Sequence, residues 1–172
     1  MNNDLLIVGA GTYSMVAFEI ATDMGSFGKI DFVDDERKMT PAGIEVVGTM
    51  KDIYNPASQY ANIIVAIGNP EVRLSLLKKI SEETPYRIAT LVSPKAYISP
   101  YARIMSGCIV EPMAVVHPEC VIRSGCIISA GAVVNHAATC CEGVHVDCNA
   151  TVGGYCIVPE KTKICSGNVY KG

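Results

Sequence analysis

Hydrophobic positions change their rhythm once along this chain. Up to about residue 90 they fall into blocks: LLIVGAG (5–11), MVAFEIATDMG (15–25), KIDFVDDE (29–36), IEVVGTMKDI (44–53), NIIVAIGNP (62–70) and EVRLSLLKKISEE (71–83). The short, unbroken apolar runs predict buried strands, and the longer runs with helical spacing predict helices. Gly25, just past the first helical run, is a natural C-cap. Strands alternating with helices predict a parallel sheet joined by crossovers.

Beyond residue 95 the period becomes six. Stepping by six from Ile98 gives Ile104, Val110, Val116, Ile122, Ile128, Val134, Cys140, Val146, Val152, Val158 and Ile164. Two residues earlier a second column runs Ala96, Ala102, Cys108, Ala114, Cys120, Cys126, Ala132, Ala138, Val144, Ala150, Cys156 and Thr162, small at every position but Val144. Neither a helix nor a simple alternating strand has this period. It predicts a hexapeptide parallel β-helix, in which three short strands close one coil of about 18 residues. The β-branched column points inward and stacks, and the small column sits where the wall bends. Two units follow: an α/β domain over 1–90 and a β-helix over 91–172.

Composition narrows the function classes. The net charge is −3, with no block of Lys or Arg, which argues against a nucleic-acid surface. No apolar run approaches a membrane span. MNNDLLIVGAG lacks the basic start of an export signal, so the expected compartment is the cytoplasm. All eight cysteines lie beyond residue 107. In a reducing compartment they read as packing residues: Cys108, Cys120, Cys126 and Cys156 fill the small inward column and Cys140 the β-branched one. Cys141, Cys148 and Cys165 have no inward role.

Candidate chemistry lies in both halves. Gly9-Ala10-Gly11-Thr12-Tyr13-Ser14 follows the first strand and opens the first helix, and Asp34–Asp35 ends the second strand. About 90 residues allow one mononucleotide unit, with backbone N–H groups of Gly11, Thr12 and Tyr13 facing a phosphate and the acidic pair facing a ribose or base. In the second half, VVNHAATCCEGVHVDC (133–148) crowds histidine and cysteine. The period of six separates them: Val134, Cys140 and Val146 face inward, which turns His136 and His145 outward.

GAG, FVDD and AIGNPEVR, followed by hexapeptides carrying GAVVNH and GVHV, resemble a bacterial acetyltransferase family that includes UDP-4-amino-sugar N-acetyltransferases of the bacillosamine type and sialic acid O-acetyltransferases. The resemblance spans nearly the whole chain in the same order. It implies a left-handed coil, acetyl-CoA as co-substrate and a sugar or UDP-sugar acceptor. It also implies a homotrimer with acetyl-CoA between neighbouring β-helices. By the same resemblance His136 is the general base, His145 contacts the thioester region of acetyl-CoA, and Gly9, Gly11, Thr12, Tyr13, Asp34 and Asp35 hold the nucleotide sugar. Ala137 follows His136 where an acidic residue often stands in that family.

The chemistry agrees with such a role. A neutral imidazole can take a proton from an attacking amine or hydroxyl, and Gly153–Gly154 would let a pantetheine arm approach the backbone. Two other readings stay open. One is a catalytically degenerate trimer that only binds a nucleotide sugar. The other is a zinc β-helix of the gamma-class carbonic anhydrase type, using His117, His136 and His145. No metal is expected, because the histidine spacing of that class is missing and there is no CxxC.

Overall fold

A computed structural model describes residues 3–55 and 59–172. The four apolar residues Leu5–Val8 form β1, buried on both faces. Helix α1 (Thr12–Met24) follows and ends at Gly25, whose φ of 61° is the left-handed C-cap expected of that glycine. β2 (Ile30–Val33), β3 (Val46–Gly48) and, after a 3₁₀ turn at Met50–Tyr54, β4 (Asn62–Val65) complete the blocks read from sequence. Helix α2 (Pro70–Glu83) is capped by Asn69, whose side chain accepts from the Val72 N–H, with Pro70 in the first turn. A short β5 (Arg87–Ile88) adds a strand that the apolar pattern did not mark. The parallel sheet has the order β3-β2-β1-β4-β5. The strand order therefore reverses between β1 and β4, where open α/β sheets bind ligands beyond the strand C-termini.

The chain divides into two compact units, Met1–Ala89 and Thr90–Gly172. The second is a left-handed parallel β-helix of two-residue strands in three sheets, of five, four and five strands. Each strand pairs with those 18 residues away, as Val116 does with Val134 and Val134 with Val152. The first rung lies earlier than the sequence pattern starts, because Leu91–Val92 pairs with Ile109–Val110. From Val110 to Ile164 the whole β-branched column is buried, and it packs with the small column in one continuous core. Stacking mostly branched side chains along the axis removes apolar surface from water at about 25 cal/mol per Å².

The turns explain the repeat at the backbone level. Every sixth residue from Gly107 to Gly167 has positive φ, and it is glycine at Gly107, Gly125, Gly131, Gly143 and Gly167. Met113, Glu119, Ala137, Asn149, Tyr155 and Lys161 hold the same left-handed conformation without being glycine, at a cost of roughly 1–2 kcal/mol each for residues other than Asn.

The inward cysteines have a specific job. The Sγ–H groups of Cys108, Cys120 and Cys126 donate to the corner carbonyls of Arg123, Asn135 and Cys141, each at 3.0 Å. Alanine would lack the Sγ and leave those carbonyls without this donor. Burial pushes the Cys140 thiol pKa up, and the Cys108 hydrogen bond together with burial does the same for Cys126. These thiols stay protonated and inert.

Candidate active site

In the β-helix, His136 occupies the turn between the strands Val133–Val134 and Thr139–Cys140 and is exposed. Its Nδ1 lies 2.9 Å from the Asn135 Oδ1, and its backbone N–H donates to the same oxygen at 3.0 Å. The Tyr155 ring stands edge-on to the imidazole, with centroids 5.1 Å apart. Gly154 lies against the Nε2 side: a Cβ there would come within 2.9 Å of Nε2 and 3.0 Å of Cε1. A Cβ on Gly153 would come within 3.1 Å of the Tyr170 carbonyl oxygen. The missing side chains of both glycines thus make room for groups of the chain itself.

The Gly154 N–H makes no hydrogen bond among the described residues. Its neighbours are both engaged, Gly153 N–H with the Tyr170 carbonyl and Tyr155 N–H with the His136 carbonyl. A free amide beside Nε2 is a ready donor for a developing oxyanion.

His145 is placed differently. It lies on the strand His145–Val146 of the third sheet, paired with Ile127–Ile128. Its side chain is 14% exposed, and Nε2 lies 3.0 Å from the Ser129 Oγ. Asp147 approaches the same Nε2 at 3.8 Å while its other oxygen pairs with Lys163 at 3.0 Å. Ser129, His145 and Asp147 have the composition of a nucleophilic triad without its geometry, because serine and carboxylate face one nitrogen and Ser129 is buried. The lysine hydrogen bond comes second to none among the influences on Asp147, and it keeps that carboxyl below its ordinary pKa.

The corner that carries His136 lies between the first two sheets, and His145 lies on the third. In a three-sided prism a corner is opposite the remaining face. The two histidines therefore sit on opposite sides of one chain and do not form a joint site within it. His117 is one rung below Asn135. Among the described residues no three His, Cys, Asp or Glu side chains are grouped as a metal site.

In the α/β unit the sequence-selected residues gather at the strand C-termini. Gly9 has φ 103°, and a Cβ there would stand 3.3 Å from the Ala66 carbonyl oxygen, so glycine lets the turns after β1 and β4 approach. Gly11 is the N-cap of α1 without a side-chain cap; Thr12 is exposed and Tyr13 half-buried. Ser14 is buried and donates to the Gly11 carbonyl, so it closes the turn rather than facing a ligand. Asp34 is committed to the backbone: Oδ2 accepts from Ala10 N–H at 2.8 Å, and Oδ1 from Glu36 and Arg37 N–H at 2.9 and 3.0 Å. Asp35 accepts from Met50 N–H at 2.9 Å. The acidic pair thus fixes the loops around the switch point.

Burial pushes the Asp34 pKa up, but hydrogen bonds from Arg37, Glu36 and Ala10 and the Arg37 charge outweigh it and lower the pKa. A lowered folded pKa gives stability that is complete above the unfolded carboxyl pKa of about 3.9 and is lost as pH falls through the folded value. Urea midpoints at about pH 5 and about pH 2.5 read this contribution. Between them the wild-type protein is expected to lose more stability than Asp34→Asn; equal losses would remove Asp34 from the acid response.

Sequence reasoning missed Arg73. It is fully buried, and its Nη1 donates to the Ile67 and Gly68 carbonyls at 2.8 and 2.7 Å, pinning the loop after β4. AIGNPEVR contains it, but a lone arginine on a helical pattern gives no sign of burial. Asn135 and Ser129 were equally silent, since their roles depend on neighbours that only folding supplies.

Residues 4–80 match the family model of the PglD N-terminal domain. The acetyltransferase domain of PglB from Neisseria gonorrhoeae FA1090 is 30% identical over 98% of this chain and 82% of that one, with a TM-score of 0.92. The chain belongs to the bacterial sugar acetyltransferase family. This acetyltransferase also matches the same Neisseria domain in complex with acetyl coenzyme A, at 29% identity, 98% and 82% coverage and TM-score 0.92. A perosamine N-acetyltransferase from Caulobacter crescentus, in complex with CoA and GDP-perosamine, shares the fold at 20% identity, 96% and 90% coverage and TM-score 0.63. No curated protein matches the sequence significantly. Among the described residues no helix is long and apolar enough to cross a membrane.

Proposed function

We propose that this acetyltransferase moves the acetyl group of acetyl-CoA onto the amino group of a nucleotide-activated amino sugar, with His136 as general base. The observation that carries the reading is the exposed imidazole whose Nε2 side lies against the bare backbone of Gly154. His136 Nε2 takes the proton from the attacking amine as its nitrogen adds to the thioester carbonyl. The Gly154 N–H meets the oxyanion of the tetrahedral intermediate. Collapse expels CoA thiolate, which recovers the proton from the imidazolium, leaving an acetamide and free CoA.

The opposite placement of His136 and His145 supports an oligomer, in keeping with the homotrimer that the resemblance implies. A site that uses both histidines needs two chains, with acetyl-CoA running between neighbouring β-helices past Gly153, Gly154 and His145. The nucleotide of the acceptor fits the switch point, where Gly9, Gly11, Thr12 and Tyr13 present the start of α1 to its phosphates and Asp34 and Asp35 shape the rim. The relatives support the substrates: one binds acetyl coenzyme A, and another is an N-acetyltransferase with CoA and GDP-perosamine.

Release of CoA thiol from acetyl-CoA, measured over a panel of UDP- and GDP-linked amino sugars and their hydroxyl analogues, tests this. Turnover confined to amino sugars, with an acetamide product, is the expected result. Turnover on hydroxyl sugars alone would assign O-acetylation. Acetyl-CoA binding without turnover on any member would leave a degenerate binding protein.

A further inference from the structure

We propose that Asn135 is a positioning residue that holds His136 in one tautomer, with the proton on Nδ1 and Nε2 left bare. The inference rests on the reading of His136 as the base, and it assigns the task that an acidic residue at position 137 would otherwise perform.

The His136 backbone N–H can only donate, so the Asn135 atom 3.0 Å from it is the carbonyl oxygen and not the amide nitrogen. That oxygen can only accept, so Nδ1, 2.9 Å away, must carry the ring proton. The neutral ring has one proton, and Nε2 is left with its lone pair on the Gly154 side.

Residue 137 does not do this because the alanine methyl has no hydrogen-bonding atom. Ala137 takes the left-handed turn position, φ 55°, and its N–H is spent on the Pro118 carbonyl. Asn135 is held independently of its side chain: its N–H donates to Val152, and its carbonyl accepts from Ala138 N–H and the Cys120 Sγ–H. Substituting the side chain therefore leaves the corner itself intact. An amide also differs from a carboxylate in charge. It orients the ring without placing a negative charge beside it. Among the described residues Tyr155 is in ring contact with the imidazole, and His117 and Glu119 stand in the turn one rung below that of His136.

Three full-length variants test this: Asn135→Ala, the near-isosteric Asn135→Asp, and His136→Ala. Long-range ¹H–¹⁵N NMR of the His136 ring reads the tautomer without any turnover. The wild type should show Nδ1–H, and Asn135→Ala should move toward the Nε2–H form that a free imidazole favours. The kcat of Asn135→Ala should fall about 10- to 100-fold with KM little changed. Asn135→Asp should keep the tautomer and move the acid limb of the rate profile up by about 1–3 pH units, because a carboxylate then stabilises the imidazolium. An Nε2–H wild-type ring, or Asn135→Ala with wild-type tautomer and kcat, overturns the proposal. If His136→Ala keeps full turnover, the base reading fails instead, while the NMR result still decides the role of Asn135.

Discussion

Replacing His136 with alanine is expected to slow acetyl transfer by about 10²- to 10⁴-fold, roughly 3–5 kcal/mol of barrier. The loss should fall on kcat, because the imidazole is asked to act on a proton that moves only as the amine attacks. Binding of acetyl-CoA should survive, since the contacts assigned to the donor lie on His145, Gly153 and Gly154. The exposed turn that carries His136 gives little reason for the variant to unfold. Single-turnover acetyl transfer, with acetyl-CoA binding followed by calorimetry, checks both halves of the expectation. Turnover equal to wild type would remove His136 from the chemistry.

The second large effect is one of stability, in the α/β unit. Arg73→Ala removes a fully buried side chain that bonds the Ile67 and Gly68 carbonyls. Hydrogen bonds from a charged donor contribute about 1.5–3 kcal/mol each, and the cavity adds to the loss. A destabilisation of about 3 kcal/mol or more is expected, seen in denaturant unfolding of the full chain. Arg73→Lys keeps the charge but not the planar fork, and it should recover part of the loss. A variant within about 0.5 kcal/mol of wild type would show that the loop after β4 holds itself. Loosening that loop should also weaken binding of the nucleotide sugar, since Gly9 packs against Ala66 at the switch point.

Much of the architecture was legible in the chain because its signals are local. A step of six with branched and small columns can be satisfied only by short strands and regular turns, and the structure buries those columns as the period requires. Short, mainly apolar runs and Gly25 marked β1, β2, β4 and the end of α1 for the same reason. His136 pointed outward because it stands two residues past an inward valine.

The site was legible as residues but not as an arrangement. Nine residues separate His136 from His145, which is one and a half hexapeptides, so the turn of the coil carries them to opposite sides of the prism. Gly153 and Gly154 looked like open backbone; folding sets the Tyr170 backbone against one and the imidazole against the other, from rungs 17 and 18 residues away. Asp34 and Asp35 read as facing a ribose or base; the sheet also brings the Ala10 amide to the Asp34 carboxylate, and the residues just after it supply two more. Asn135 orients His136 through two short bonds whose meaning depends on ring and amide geometry. Sequence by itself determined which residues are inside the wall, where it turns and which imidazoles leave it, because each follows from a repeat or a run read along the chain. Only the tertiary structure decided which of them meet, because stacking at 18 residues and the reversal of strand order at β1 and β4 join positions that no local pattern connects.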